Sequence, residues 1–245
     1  MSIGLFYNVQ EFKMIKGVIF DLDHTLFDRY GTFRATLDNL YNNLRDKIPE
    51  TVSLEEFTEG VISSEQKYIY HSFDLIAADV FHKGLLSEKM SGKEFWGYVC
   101  KHCWTKAAVK YPFTEPMLIK LKEMGLKIGI ITNGSPKTQQ AKIDLLGIGR
   151  FVDETIICGT LGVQKPDTLP FDVMCERLGI NANELLYVGD NPINDIMASR
   201  NAGYITVWVK TLGTWDFDDI ERSKYEVDTV EEIPELVEKI NKGTV

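Results

Sequence analysis

Short runs of apolar, often β-branched residues occur once near the beginning of the chain and repeatedly in its second half. Such runs are typical of buried strands, and they predict strands at residues 15–20, 127–131, 155–158, 185–188 and 205–209. Between them, apolar residues recur at helical spacing, which predicts helices at residues 116–124, 136–146, 169–178, 192–202 and 230–240. Strands that alternate with helices form right-handed βαβ units. We therefore expect an α/β fold with a doubly wound parallel sheet.

Residues 29–110 follow a different pattern. Apolar residues there recur at helical spacing without a strand-like run, and one stripe consists of Phe33, Leu37, Leu40, Tyr41 and Leu44. About four amphipathic helices, inserted after the first strand, account for this pattern. We therefore predict three parts of the chain: an N-terminal extension at residues 1–13, an α/β core at residues 14–28 and 111–245, and an all-helical cap at residues 29–110.

Composition and charge argue against some classes of function. The chain has 245 residues, a formal net charge of −9 at pH 7 and 44% hydrophobic residues, which is an ordinary globular balance. Its acidity argues against binding to nucleic acids or anionic membranes, which require basic patches. No apolar run approaches the roughly 18–20 residues that span a bilayer, and the N-terminus lacks the basic and apolar regions of a signal peptide. We therefore expect a cytoplasmic protein.

The four cysteines are also consistent with a cytoplasmic protein. Cys100 and Cys103 form a single C-x-x-C, and Cys158 and Cys175 stand apart. A zinc site would need two more ligands at suitable spacing, and no second pair accompanies the first. We expect reduced thiols that serve as ordinary packing residues.

Residues with useful chemistry stand directly after the predicted strands. Asp21 and Asp23 follow the first strand, Thr132 and Asn133 the second, and Asp190 and Asp195 the fourth, while Lys165 precedes the helix at 169–178. Because ligands bind beyond the carboxyl ends of strands in open parallel sheets, one sheet edge would gather these residues. Four carboxylates at one edge would repel one another unless a cation lay among them. All-oxygen ligands beside a phosphate favour Mg²⁺.

The same residues suit phosphoryl transfer. A carboxylate such as Asp21 is a competent nucleophile toward phosphorus and gives an acyl phosphate. Asp23 lies two residues further along an extended segment, so it faces the same side as Asp21 and can reach the same reacting centre. A bound phosphoryl group needs donors, which the hydroxyl of Thr132, backbone N–H groups and Lys165 can supply.

Four motifs occur in a fixed order along the chain. D-L-D-x-T begins at Asp21, T-N-G at Thr132, K-P at Lys165 and G-D-x-x-x-N-D at Gly189. Together they closely resemble the motifs of the haloacid dehalogenase-like hydrolase superfamily. The helical insert resembles the cap of the family's subclass I, and the likeness extends from Met14 to the C-terminus. The resemblance implies a Rossmann-like core.

The resemblance also implies roles for the residues that handle phosphate. Asp21 resembles the family's nucleophile, and Asp23 resembles the acid/base that protonates the leaving oxygen and then activates water. Thr132 and Asn133 resemble the phosphate-binding pair. Lys165 resembles the cation that steadies the phosphate and the nucleophile.

A Mg²⁺ site is implied in the same way. Asp21 and the backbone carbonyl of Asp23 resemble metal ligands, as does the side chain of Asp190. Asp195 resembles a ligand that acts through water and also orients Lys165.

Two positions, His24 and Thr168, depart from the family's pattern, and Asp23 discriminates within the family. Thr168 replaces a common proline, which affects the start of a helix and not the chemistry. His24 stands where the family commonly has glycine, and we expect it to be a solvent-facing loop residue. Dehalogenases of the family lack an acid at the position of Asp23, so its presence here favours a phosphatase of small phosphorylated metabolites. A phosphomutase or phosphotransferase on the same core, and a non-catalytic phosphate-binding regulatory protein, stay open as alternatives.

Overall fold

The structure is a computed structural model that describes residues 14–211 and 215–245, so the predicted extension at 1–13 lies outside the described residues. The strands are β1 (Gly17–Phe20), β2 (Phe27–Asp28), β3 (Val109–Lys110), β4 (Lys127–Thr132), β5 (Glu154–Ile157), β6 (Leu185–Gly189), β7 (Ile205–Val209) and β8 (Tyr225–Val227). The helices are α1 (Arg29–Asn43), α2 (Leu54–Lys67), α3 (Phe73–His82), α4 (Gly92–Val99), α5 (Thr114–Glu123), α6 (Pro136–Leu146), α7 (Leu169–Leu178), α8 (Ala198–Asn201) and α9 (Ile233–Lys242).

Six strands form one parallel sheet in the order β5-β4-β1-β6-β7-β8. Strand β1 lies between β4 and β6, and Val18 is in register with Ile128 on one side and Leu186 on the other. The chain therefore winds outward in both directions from β1, as the predicted doubly wound fold requires. Such a reversal leaves a crevice beyond the carboxyl end of the central strand.

Both faces of the sheet are covered. Val18 and Phe20 of β1 belong to one buried cluster, which also contains Leu118 of α5 and Val237 of α9. Ile19 points to the opposite face and belongs to a second cluster with α7. Because alternate residues of β1 serve the two clusters, the strand is apolar throughout, and the first polar side chain after it lies at its carboxyl end.

The inserted helices α1–α4 continue into a π-helical segment, Cys100–Trp104. We call this segment and α1–α4 the cap. Its interior contains Phe57, Phe95 and Trp104, all almost fully buried. Strands β2 and β3 pair antiparallel at the base of the cap. We propose that this pair marks the boundary between a cap at residues 29–110 and a core at residues 14–28 and 111–245.

The structure differs locally from the sequence-based prediction. The helix expected at residues 192–202 is a π-helical segment, Pro192–Met197, followed by the short α8. Strands β2, β3 and β8 were not predicted, because two or three residues are too few to produce a recognisable alternating pattern. Among the described residues, no helix combines the length and apolarity that crossing a membrane requires.

Candidate active site

All seven residues predicted from the motifs line one cavity of about 540 Å³. It opens at the carboxyl edge of the sheet, where Asp21 follows β1, Thr132 ends β4 and Asp190 follows β6. Loops bring in Asp23, Asn133 and Lys165, and the π-helical segment Pro192–Met197 brings in Asp195. These residues are up to 174 positions apart in sequence, from 21 to 195, and the sheet, with the segments that follow its strands, brings them together. The cap forms the opposite wall.

Lys165 is buried at the centre of this group, with 4% of its surface exposed. Its ammonium group donates to Asp21 Oδ1 at 2.7 Å and to Asp195 Oδ1 at 2.6 Å. It also contacts the hydroxyl of Tyr187 at 2.8 Å and the carbonyl of Ile131 at 3.1 Å. Although burial alone would lower the pKa of Lys165, the carboxylates of Asp195 and Asp21 raise it well above its usual value. The lysine is therefore a fixed cation beside Asp21.

The two carboxylates that contact Lys165 form a cluster with a third, that of Asp190. Oxygen atoms of Asp21, Asp190 and Asp195 all lie within 4.8 Å of one another, and all three residues are buried. Burial raises the pKa of Asp21 to about 7, and Asp195 and Asp23 add to this effect while Lys165 opposes it. Burial, together with Asp195 and Asp21, also raises the pKa of Asp190 well above its usual value. When the three are ionised, Lys165 leaves a charge of about −2 uncompensated, which fits a divalent cation held by oxygen ligands.

The turn after β6 fixes two of these carboxylates. A Cβ atom at Gly189 would lie 2.5 Å from Asp195 Cγ, so only glycine permits the close approach of Asp195. Asp195 Oδ2 accepts a hydrogen bond from the backbone N–H of Asn191 at 2.9 Å. The backbone carbonyl of Asp190 accepts hydrogen bonds from Trp208 at 2.8 Å and from Tyr70 of the cap at 3.0 Å.

Thr132 and Asn133, which were predicted to bind phosphate, make different contacts in the structure. The side chain of Asn133 makes two hydrogen bonds to the backbone of Lys165, donating to its carbonyl at 3.0 Å and accepting from its N–H at 2.7 Å. Asn133 therefore holds the loop that carries Lys165. Thr132 lies beside the cavity and accepts a hydrogen bond from Gln139. Its hydroxyl hydrogen can rotate toward a bound anion.

Residues outside the four motifs hold Asp23. Lys142 of α6 donates to both carboxylate oxygens, at 2.6 and 2.9 Å, and is itself 3% exposed. Gln139, one turn earlier on the same helix, donates to Asp23 at 3.0 Å. Arg29 of the cap approaches Asp23 Oδ1 to 3.8 Å. Burial would raise the pKa of Asp23, but Lys142 and Arg29 hold it well below its usual range.

A sequence signal for Lys142 and Gln139 does exist. Four residues of α6 share its buried face at helical spacing: Gln139, Lys142, Ile143 and Leu146. A lysine and a glutamine on a stripe that otherwise packs into the core need buried polar partners, because an unpaired buried charge is costly. That partner is Asp23, 119 residues away in sequence.

The expectation that His24 faces solvent is wrong. His24 is 3% exposed, since α1 and α2 of the cap cover the loop that carries it. Its ring lies 4.9 Å from that of Tyr30, and Nε2 lies 3.9 Å from Glu65. The residue has φ of 61°, the left-handed conformation that glycine adopts most easily. The loop therefore has the backbone shape that glycine would give it, with a histidine buried against the cap.

Comparisons with known proteins agree with this geometry. The sequence pattern of the haloacid dehalogenase-like hydrolase family matches residues 18–209. A glyceraldehyde 3-phosphate phosphatase from Methanocaldococcus jannaschii is 30% identical over 233 residues, which are 94% of this chain and 100% of that protein. The N-acylneuraminate-9-phosphatase of Rattus norvegicus is 25% identical over 237 residues, which are 93% of this chain and 95% of that protein.

Solved structures share the fold. The HAD-hydrolase YfnB from Bacillus subtilis, determined bound to magnesium, superposes with a TM-score of 0.71 at 19% sequence identity. The superposition covers 92% of this chain and 99% of that one. A likeness at this level of identity concerns the arrangement of the sheet and helices.

Proposed function

This chain belongs to the haloacid dehalogenase-like hydrolase family, and on that premise we propose that it hydrolyses phosphate monoesters of small molecules through an aspartyl phosphate on Asp21, with Mg²⁺. The observation that carries the proposal is the cluster of Asp21, Asp190 and Asp195, in which Asp21 and Asp195 both contact the ammonium group of Lys165. The two relatives compared above are named as phosphatases, which supports the reaction class.

The first step forms a bond between a carboxylate oxygen of Asp21 and phosphorus while the bond from phosphorus to the ester oxygen breaks. Lys165, 2.7 Å from Asp21 Oδ1, keeps the nucleophile oriented and balances charge on the phosphoryl group. Asp23 gives its proton to the departing oxygen. The phosphoryl group brings negative charge into the site, which favours the protonated form of Asp23. Mg²⁺ held by the carboxylates would neutralise phosphoryl oxygens and so permit attack by an anion.

The second step returns the enzyme to its starting state. Asp23, now a carboxylate, takes a proton from water, and the resulting hydroxide attacks phosphorus. The bond between phosphorus and Asp21 breaks, and inorganic phosphate leaves. The cap closes the cavity from the side opposite the sheet, which limits the access of bulk water to the intermediate.

Removal of metal tests the proposal directly. With p-nitrophenyl phosphate as substrate, we expect phosphate release in Mg²⁺, loss of release in excess EDTA, and recovery when Mg²⁺ is restored, because three buried carboxylates beside one lysine repel an anionic substrate. Release that is undiminished in EDTA would refute the metal-dependent mechanism. With a phosphomonoester that carries a second hydroxyl group, recovery of an isomeric phosphate instead of inorganic phosphate would identify a mutase.

The contact between Lys142 and Asp23 yields a second prediction. We propose that Lys142 positions Asp23, so Lys142→Met should lower kcat about 10²-fold and leave KM within about threefold. The measurement is steady-state kinetics on an alkyl phosphate. The matched control is Lys137→Met, which removes an exposed lysine from the same helix and should change neither constant.

A double-mutant cycle separates positioning from a general effect on the fold. If Lys142 acts through Asp23, Lys142→Met should cost almost nothing further in a protein that already carries Asp23→Asn. Rate losses that multiply would mean that Lys142 acts independently of Asp23, and the positioning role would be wrong.

A further inference from the structure

The cap wall of the cavity is mainly aromatic. Four of its lining residues are Tyr70, Phe73, Trp96 and Trp104. Two polar groups on the same wall already have partners within the protein: the Tyr70 hydroxyl donates to the carbonyl of Asp190, and Arg29 forms a salt bridge with Glu65. His71, which also lines this wall, is exposed. Four aromatic rings therefore form part of the surface that this wall presents to whatever the phosphate is attached to.

Phe73 and Trp96 form a stacked pair. Their ring centroids are 4.2 Å apart and their planes differ by 9°. Phe73 nevertheless remains 45% exposed, which is unusual for a phenylalanine already stacked on a tryptophan and leaves ring surface open at the cavity. We call Phe73 and Trp96 the aromatic pair.

The backbones of α3 and α4, which carry the aromatic pair, pack closely against each other. Gly92 and Trp96 lie four residues apart on α4 and so share one face of that helix. A Cβ atom at Gly92 would lie 2.4 Å from the backbone nitrogen of Asp74, so glycine is needed for α3 to approach α4 here. The side chain of Asp74 accepts a hydrogen bond from the N–H of Gly92 at 2.7 Å. These contacts fix Phe73 over Trp96.

Trp96 also contacts Arg29, which lies between the aromatic pair and Asp23. The guanidinium of Arg29 lies 5.0 Å from the ring centroid of Trp96 and 5.4 Å from that of Trp104. The same guanidinium approaches Asp23 to 3.8 Å. A short series of contacts therefore joins the acid/base to the aromatic pair within one cavity.

We propose that the aromatic pair binds a planar aromatic ring carried by the leaving alcohol, so that ring-bearing phosphomonoesters are the preferred substrate class. This inference rests on the proposed function, since it concerns the same cavity. A ring stacks on the exposed part of Phe73 without needing hydrogen bonds, whereas a short polyhydroxylated chain would need a polar partner for each hydroxyl and would gain little from the aromatic pair.

Two matched esters test this. Phenethyl phosphate and cyclohexylethyl phosphate both release a primary alcohol, so the chemical step is alike, but only the first ring is planar and unsaturated. We expect kcat/KM to be about fivefold higher for phenethyl phosphate. The cyclohexyl ring is the more hydrophobic, so equal values, or a preference for cyclohexylethyl phosphate, would overturn the inference.

Variants tie the preference to Phe73. Phe73→Ala should lower kcat/KM for phenethyl phosphate about fivefold and bring it to the level of cyclohexylethyl phosphate, because stacking on Phe73 is lost. The control is Leu75→Ala, which removes a side chain that is 44% exposed on the same helix and does not line the cavity. An unchanged preference in Phe73→Ala would overturn the assignment.

Failure of the proposed function would look different. If the wild type hydrolysed neither ester, the phosphatase proposal would fall. The ring preference could still be tested by measuring the binding of phenethylphosphonate and of cyclohexylethylphosphonate by calorimetry. Tighter binding of the phenethyl compound that is lost in Phe73→Ala would support it, and equal binding would overturn it.

Discussion

Replacing Asp21 with asparagine should abolish turnover, lowering kcat by at least about 10⁴-fold, because an amide oxygen cannot form the acyl phosphate. The fold should survive, since asparagine matches aspartate in shape. Burial raises the pKa of Asp21 to about 7, with Asp195 and Asp23 adding to the effect, so a charge at this position is disfavoured in the metal-free protein. At neutral pH, Asp21→Asn should therefore unfold at the same temperature as the metal-free wild type or at a higher one.

The measurement pairs steady-state kinetics with thermal unfolding in EDTA. Asp172→Asn, an exposed carboxylate on α7, serves as the control and should match the wild type in both. Residual activity of Asp21→Asn above a few per cent would contradict covalent catalysis by Asp21.

Removing the lysine at the centre of the site should have the second largest effect. Lys165→Met leaves Asp21 and Asp195 without the ammonium group that contacts both, at 2.7 and 2.6 Å. We expect kcat to fall at least about 10³-fold, since both the orientation of the nucleophile and a charge on the phosphoryl group are lost. Breaking a buried ion pair on one side typically costs about 3–5 kcal/mol, so the free energy of unfolding should also fall.

Added Mg²⁺ should restore part of the lost stability of Lys165→Met, because the cation would take over the balance of carboxylate charge. Thermal unfolding with and without Mg²⁺ measures this. The control is Lys122→Met, which breaks a surface ion pair with Asp153 and should change stability by less than about 1 kcal/mol. Stability of Lys165→Met that does not respond to Mg²⁺ would contradict a metal site at Asp21, Asp190 and Asp195.

The parallel sheet and the position of the candidate site could be predicted from the sequence, and for one physical reason. Strand β1 is apolar on both faces, so Asp21 at its end marks where the chain leaves the core. The same reasoning identifies Thr132 after β4 and Asp190 after β6. Because the strands are parallel, their carboxyl ends lie at one edge of the sheet. The proximity of residues that are distant in sequence can therefore be predicted without knowing the conformation of the loops.

Contacts made by helices and by the cap could not be predicted in that way. Lys142 meets Asp23 through the rotation of α6 about its axis, which depends on packing. The burial of His24 depends on the positions of α1 and α2 relative to the loop that carries it. The close approach of α3 to α4 depends on Gly92. Each involves two elements whose relative placement is set by tertiary packing instead of local pattern.

The most direct test of the central claim is to trap the phosphoenzyme. The Asp23→Asn protein is used because loss of the base should slow hydrolysis of the intermediate. It is allowed to react with a phosphomonoester that carries a radiolabelled phosphoryl group, and the reaction is quenched in acid and the protein digested. We predict a base-labile label on the peptide that contains Asp21, and none in protein that also carries Asp21→Asn. Turnover without labelled protein, or a label on another residue, would contradict nucleophilic catalysis by Asp21.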